Sequence, residues 1–455
     1  MPSRLLLVAY AAVVCVSVAV PQESPHKSQP AVPLLYTAAA EYQPLAWLQG
    51  AERFPKGATL FVRSKGTAEP LVAGFATSAD ANVSFDAKSV LFSGKQHAAD
   101  HWQIWEVAVP AGTPRQITHC DDDCIKPLYL PGERVVYARR IDGQLELEIA
   151  SLNGTEAPVR LTHAPGNFLP SDVLLDGRIL FEAGYPIQDN RTAELYTVYT
   201  DGSGVEAYRC DHGHSRHAGR QMASGDVVFA RDGKLFRFTS ALAHEVPIAA
   251  PAAVYAGDVI ESSNNSWVVT SRATTGKHFR LLTWKPGTAA VLSLISDSKT
   301  NIIQPALLAP RAVPNRHPSA LHEWSYANLL CLNAYTSKDR IREGSIASLR
   351  LYTRDAHGAA QVQGTAPVEK DGSFFLKVPG DRPLKIELLD AQGNTVKSEG
   401  GWFWLRSGEQ RICVGCHAGP ERAAENAVPM VLQRSIIPVD LTTLRTSQAP
   451  AAGGH

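Results

Sequence analysis

Between residues 42 and 310 the chain repeats one pattern: a turn rich in Asp, Gly or Pro, a short β-branched or aromatic run, then a second apolar run. The first runs begin at Val90, Val135, Ile179, Val227 and Trp267, so successive starts are 45, 44, 48 and 40 residues apart. A period of about 45 residues made of short strands is the signature of a propeller blade. The second runs keep the same step, at 102–107, 145–150, 195–199, 235–238 and 279–284. Gln116-Ile117-Thr118 and Arg160-Leu161-Thr162 follow as blade-ending turns. A single four-stranded sheet cannot bury both faces, so neighbours must stack radially until the ring closes. Five repeats are countable. A sixth is expected to close from strands at the two ends, 59–62 and 301–308. A β-sandwich with accidental spacing is the competing architecture.

A chain of 455 residues is too long for one core and divides into domains. The Pro-containing stretch 310–318 is the expected linker. Beyond it, apolar runs at 348–352, 373–378 and 384–389 lose the 45-residue period. The turns Lys370-Asp371-Gly372 and Ala391-Gln392-Gly393-Asn394 suit hairpins. The expected fold is therefore mainly β, with a propeller of about six blades over 42–310, a small antiparallel β-sandwich-like domain over 317–405, and a C-terminal segment over 406–455. The blades individually resemble those of TolB-type propellers, a likeness that speaks to fold and not to function.

Lys+Arg and Asp+Glu both number 44, so no overall field would hold a polyanion, and nucleic acid is not an expected partner. Residues 1–19 have a basic start, a short apolar core, and Ser17 and Ala19 before an expected cut, the form of a secretory signal. The apolar run, 5–20, is shorter than the roughly 20 residues of a membrane span, so none is expected after cleavage. Residues 20–41 are the expected linker. Val14 before Cys15 lacks the small side chain of a lipoprotein signal. A periplasmic or secreted location follows, and with it a change in what cysteine means: the six that remain, Cys120, Cys124, Cys210, Cys331, Cys413 and Cys416, either pair or bind something.

Cys413-Val414-Gly415-Cys416-His417 is a C-x-x-C-H sequence, the attachment signal of one covalent haem c. Two thiols at this spacing can each add to a haem vinyl group, and the adjacent imidazole of His417 then meets the iron. A thioredoxin-like pair expects a βαβ setting, and a zinc site a second pair of thiols nearby; neither is legible here. Met430 is a candidate distal ligand to the iron, against a plain role beside Val428 and Val431. His212, His214 and His217 could reach a docked haem or hold a metal, or form a solvated loop. Cys120 and Cys124 are candidates for a local disulfide, leaving Cys210 and Cys331 paired or free. No G-x-S-x-G, H-E-x-x-H or Gly-rich phosphate loop occurs.

The stretches Lys370-Asp371-Gly372-Ser373-Phe374, Val378-Pro379-Gly380, Leu388-Leu389-Asp390, Ser407-Gly408-Glu409 and Arg411 to His417 resemble the haem-bearing middle region of the hydrazine synthase α subunit family. The resemblance implies a periplasmic propeller, a β-domain and a c-type haem. Two departures stand against carrying over the activity. The family subunit has a second attachment motif, and this chain has one. There, a Tyr just after the motif is the ligand of the active-site haem while the motif His turns to zinc; residues 418–422 here contain no Tyr. Hydrazine synthesis, which also needs partner subunits, is not expected. The expectation is an exported monohaem cytochrome acting in electron transfer with a redox partner protein. The alternatives are a haem oxidoreductase that takes a small-molecule substrate at an open iron, and a propeller binding scaffold without haem.

Overall fold

A computed structural model of the chain describes residues 33–184, 193–209, 213–262, 265–355, 357–416, 423 and 426–444. The expected signal segment, Cys210, His212 and His417 lie outside the described residues.

Six four-stranded sheets follow one another from Leu34 to Leu307. Their leading strands are Thr77–Val83, Cys124–Leu130, Asn167–Val173, Arg216–Gln221, Val254–Glu261 and Asn301–Leu307. Each leading strand contacts the next, and Asn301–Leu307 contacts Thr77–Val83, so the series closes into a ring. Closing the ring removes the long sheet edges that an open stack would leave unpaired.

Closure is where the architecture departs from the sequence reading. The closing sheet does contain Thr59–Ser64 and Asn301–Leu307, but they are not neighbours: Leu34–Ala39 lies between them and pairs antiparallel with both. Residues 34–39 are thus a propeller strand and not linker. One of its two partners lies at the far end of the ring, and a contact between ends leaves no local pattern.

Five leading strands carry a register shift against their second strand, between Ala79 and Asn82, Ile125 and Leu128, Pro170 and Asp172, His217 and Arg220, and Tyr255 and Ile260. Asp80, Lys126, Ala218 and Asp258 within these bulges, and Gln304 in the closing strand, have φ between 52° and 57°, a left-handed conformation. The bulges bring polar side chains of neighbouring sheets together. Gln304 Nε2 donates to Asp80 Oδ1 at 2.5 Å, and Lys126 Nζ reaches Glu182 Oε1 at 2.9 Å. Arg53, in the segment 40–58, reaches Asp80 of this polar centre at 4.0 Å, and in the same segment Trp47 and Phe54 pack edge-on with Trp102 joining them.

The stretch 308–325 contains no strand, as expected of a linker, but it is tied down: Arg311 N–H donates to Phe85 O and Asn315 N–H to Leu175 O, both at 3.0 Å. Beyond it two four-stranded sheets face each other. One orders Gln410–Cys413, Tyr326–Cys331, Phe374–Pro379 and Val439–Asp440; the other orders Ala360–Pro367, Ser348–Arg354, Lys385–Leu389 and Thr395–Ser398. Leu329, Leu349, Leu351, Leu376, Val378 and Leu388 form the core between them. The sandwich is not purely antiparallel, because Gln410–Cys413 and Val439–Asp440 both pair in parallel. The expected boundary at 405/406 also disappears. The segment that bears the thiols is an edge strand of the sandwich, paired with a strand some 80 residues earlier, and such a parallel partner leaves no hairpin signature. No helix among the described residues is long and apolar enough to cross a membrane.

Candidate functional site

Cys413 ends the edge strand opposite Cys331 in the parallel ladder, and its carbonyl accepts the Leu332 N–H at 2.9 Å. The chain then turns through Val414 and Gly415 against residues 333–336. A Cβ on Gly415 would collide with the carbonyl oxygens of Thr336 and Asn333, so only glycine lets the motif loop lie this close. Cys416 Sγ comes to 3.8 Å from Glu399 Oε1.

Cys331, Cys413 and Cys416 all line one cavity of about 490 Å³ between the sandwich and the propeller. Leu329, Phe374, Ile386 and Leu388 give the sandwich wall, and the aromatic run Trp402, Phe403 and Trp404 gives a second. The third wall is propeller, with Tyr196 and Ala207 beside the carboxylates of Glu194 and Glu206. Cofactor pockets have volumes of roughly 300–1,000 Å³, are mostly apolar and favour domain junctions, and this one fits on all three counts.

The junction is held by hydrogen bonds from both sides. Arg411 Nη1 donates to Val205 O at 2.9 Å, Arg406 Nε to Asp201 O at 3.2 Å, and Gly204 N–H to Glu409 Oε1 at 3.1 Å. Burial pushes the Cys413 thiol above its ordinary value. Burial, reinforced by the Glu399 carboxylate, pushes Cys416 up to about 12. Both are neutral thiols at pH 7, the opposite of the depressed thiol that drives thioredoxin-type exchange.

The residues singled out by sequence divide sharply. Cys413 and Cys416 meet in the cavity wall, and Cys331 joins them. Met430 is not among the lining residues: it opens the short helix Met430–Arg434, donates its N–H to Asp371 Oδ2 at 2.7 Å, and is 39% exposed. His214 is exposed. His217 is buried at the propeller's polar centre near Glu182 and Asp258, where burial lowers its pKa. Cys120 and Cys124 form a disulfide with Cα atoms 6.5 Å apart. Beside it, His101 Nδ1 lies 3.7 Å from carboxylate oxygens of Asp122 and Asp123, whose charge Arg140 already offsets. Sequence reasoning missed Glu194, Tyr196, Glu399, Trp402 and Trp404. The run Gly400-Gly401-Trp402-Phe403-Trp404, shortly before the motif, was the one signal that could have pointed to an aromatic wall.

Residues 335–418 match the family described as the hydrazine synthase alpha subunit middle domain. Over 55 residues the chain is 40% identical to hydrazine synthase subunit alpha of Kuenenia stuttgartiensis. The chain is related to the hydrazine synthase alpha subunit. That stretch is 12% of this chain and 7% of the subunit, so the sequence relation to hydrazine synthase rests on a small part of either protein. The fold relation is broader: the solved Kuenenia stuttgartiensis hydrazine synthase superposes with a TM-score of 0.78 at 15% identity, covering 89% of this chain and 72% of that one. TolB of Acinetobacter baumannii aligns with a TM-score of 0.43 at 15% identity, over 61% of this chain and 67% of TolB.

Proposed function

We propose that this relative of hydrazine synthase alpha is an exported c-type cytochrome with one covalent haem, carrying electrons to or from a redox partner protein. The observation that carries the reading is the placing of Cys413 and Cys416, three positions apart, in the wall of an apolar cavity of about 490 Å³. Haem bound there supplies a one-electron couple. The two thiols would tie it to the edge strand, and His417, directly after Cys416, would supply the imidazole. Phe374, Trp402 and Trp404 give the cavity an apolar lining, and an apolar surround is one of the means by which a protein sets a haem potential. Gly415 lets the motif loop pack closely enough to hold both sulfurs in one wall.

The test is the full chain, exported and matured with c-type attachment machinery. A covalent haem stain on denaturing gels and a Soret band are expected, both lost in Cys413→Ala or Cys416→Ala. Colourless, folded protein would overturn the reading.

Among the described residues lining the cavity there is neither Met nor His, which favours a second reading: a haem oxidoreductase whose iron keeps a position open to a small molecule. Carbon monoxide separates the two. A shifted Soret band on adding the gas to reduced protein supports the open site, and an unchanged low-spin spectrum supports electron transfer.

A further inference from the structure

The cavity holds three thiols, and a haem has two vinyl groups. The third, Cys331, is 3% exposed and is the direct ladder partner of Cys413. Paired residues on adjacent strands project to the same face, and both residues line the same cavity, where their thiols are free in this structure. Adjacent strands lie about 4.8 Å apart, inside the roughly 4.4–6.8 Å between Cα atoms that a disulfide spans. Cys416 is placed differently: it follows a tight glycine turn, on the Glu399 side of the cavity.

We propose that Cys331 is a resolving thiol for Cys413, forming a disulfide across the parallel ladder when the cofactor is absent, and that this bond gates haem attachment. The inference rests on the haem reading above. In the oxidising step the two thiols lose two protons and two electrons. The electrons go to a small-molecule or protein disulfide, which leaves as two thiols. Attachment is different in kind: the S–H of Cys413 adds across a vinyl C=C, sulfur to one carbon and hydrogen to the other, with no net oxidation. Sulfur already bonded to Cys331 has no hydrogen to add, so a dithiol reductant must first return two electrons and two protons. Each state of Cys413 excludes the other, and the redox poise of the compartment selects between them. Cys331 is buried and Cys413 half-buried, which slows exchange in the folded chain, so the pairing must be read at equilibrium.

The experiment uses the full chain produced without haem, equilibrated with oxidised glutathione, alkylated, and mapped by mass spectrometry without reduction. The expected result is a peptide pair linked through Cys331 and Cys413, with Cys416 alkylated. Cys416→Ser should retain the link, and Cys331→Ser should lose it completely. Cys331→Ser should also take up haem several-fold better than the unaltered chain when no dithiol reductant is present. A Cys413–Cys416 link with Cys331 alkylated, or three alkylated thiols at equilibrium, would overturn the proposal. Haem staining of matured samples keeps the two readings apart. A chain that takes haem but never forms the Cys331 link sinks only this inference; one that forms the link but never takes haem sinks the cytochrome reading and the gate with it.

Discussion

The indole N–H of Trp404, from the sandwich, donates to the carbonyl of Leu161, in the propeller, at 3.2 Å. Both residues are fully or almost fully buried, and the Phe168 ring packs against the indole at 5.8 Å and 69°. Trp404 therefore acts twice, as a wall of the thiol cavity and as the bolt between the two β structures. Trp404→Ala should cost about 3–5 kcal/mol, as large-to-small changes of buried aromatic rings do. It also leaves the Leu161 carbonyl unpaired. Denaturant unfolding should show the loss, and, on the cytochrome reading proposed above, the matured variant should bleach faster in the presence of oxidant. An unfolding midpoint equal to that of the unaltered chain would show that the junction does not depend on this ring.

At the propeller's polar centre, Lys126 and Glu182 form a pair with side chains 12% and 2% exposed. Burial works to raise the Glu182 pKa, but Lys126, Arg53 and His217 together outweigh it and hold the carboxyl down to about 2. A carboxylate held below its unfolded value stabilises the fold above pH 4.5, and that contribution fades as pH falls toward 2. Lys126→Ala strands the carboxylate and should cost about 3–5 kcal/mol at neutral pH. Lys126→Met combined with Glu182→Gln should recover part of that loss. Urea unfolding of the three proteins between pH 5 and pH 2.5, with a flatter acid limb in the two variants, is the check.

Across the junction, His163 Nε2 lies 3.5 Å from Asp381 Oδ1. Burial lowers the His163 pKa against the opposing pull of the Asp381 charge. The folded chain thus keeps His163 neutral where the unfolded chain protonates it, so stability declines as pH falls below about 6.5. This window lies above that of Glu182, and the two can be resolved in one titration. His163→Gln should make the fall between pH 6.5 and 4.5 shallower, leaving the share of His217, whose pKa burial also lowers, and the more acid limb intact. An unchanged slope in that variant would remove His163 from the account.

The parts of this fold that were legible in the sequence are those whose physics is local. Val90, Val135, Ile179, Val227 and Trp267 recur because radial stacking demands a β-rich run at each turn of the ring, and that demand is written at a fixed spacing. Cys413 and Cys416 stand out because the C-x-x-C-H signal is defined by their separation, whatever the thiols hold. What stayed hidden was set by pairing at a distance. Leu34–Ala39 closes the ring against Asn301–Leu307, and Gln410–Cys413 pairs in parallel with Tyr326–Cys331, neither through a hairpin. The propeller wall of the cavity was invisible for the same reason. Tyr196 and Glu194 read as ordinary third-strand residues of a blade until the sandwich is laid against them.

The Cys120–Cys124 disulfide closes a loop of only four residues' separation, between a blade-ending turn and the leading strand Cys124–Leu130. So small a loop restricts the unfolded chain less than a long one, and the entropy model gives about 2 kcal/mol for it. Local hydrogen bonds share the task. The Trp102 carbonyl accepts the Cys124 N–H at 2.7 Å, the Gln103 side chain bonds the Cys120 carbonyl at 3.0 Å, and Asp123 Oδ1 accepts the Trp102 N–H at 3.0 Å. Replacing both cysteines by Ser should therefore lower stability by about 2 kcal/mol or less and leave haem content unchanged, because neither sulfur lines the cavity. The measurement pairs denaturant unfolding with haem content. A variant that folds but loses its haem would mean that this loop, and not only the edge strand and its aromatic wall, shapes the site.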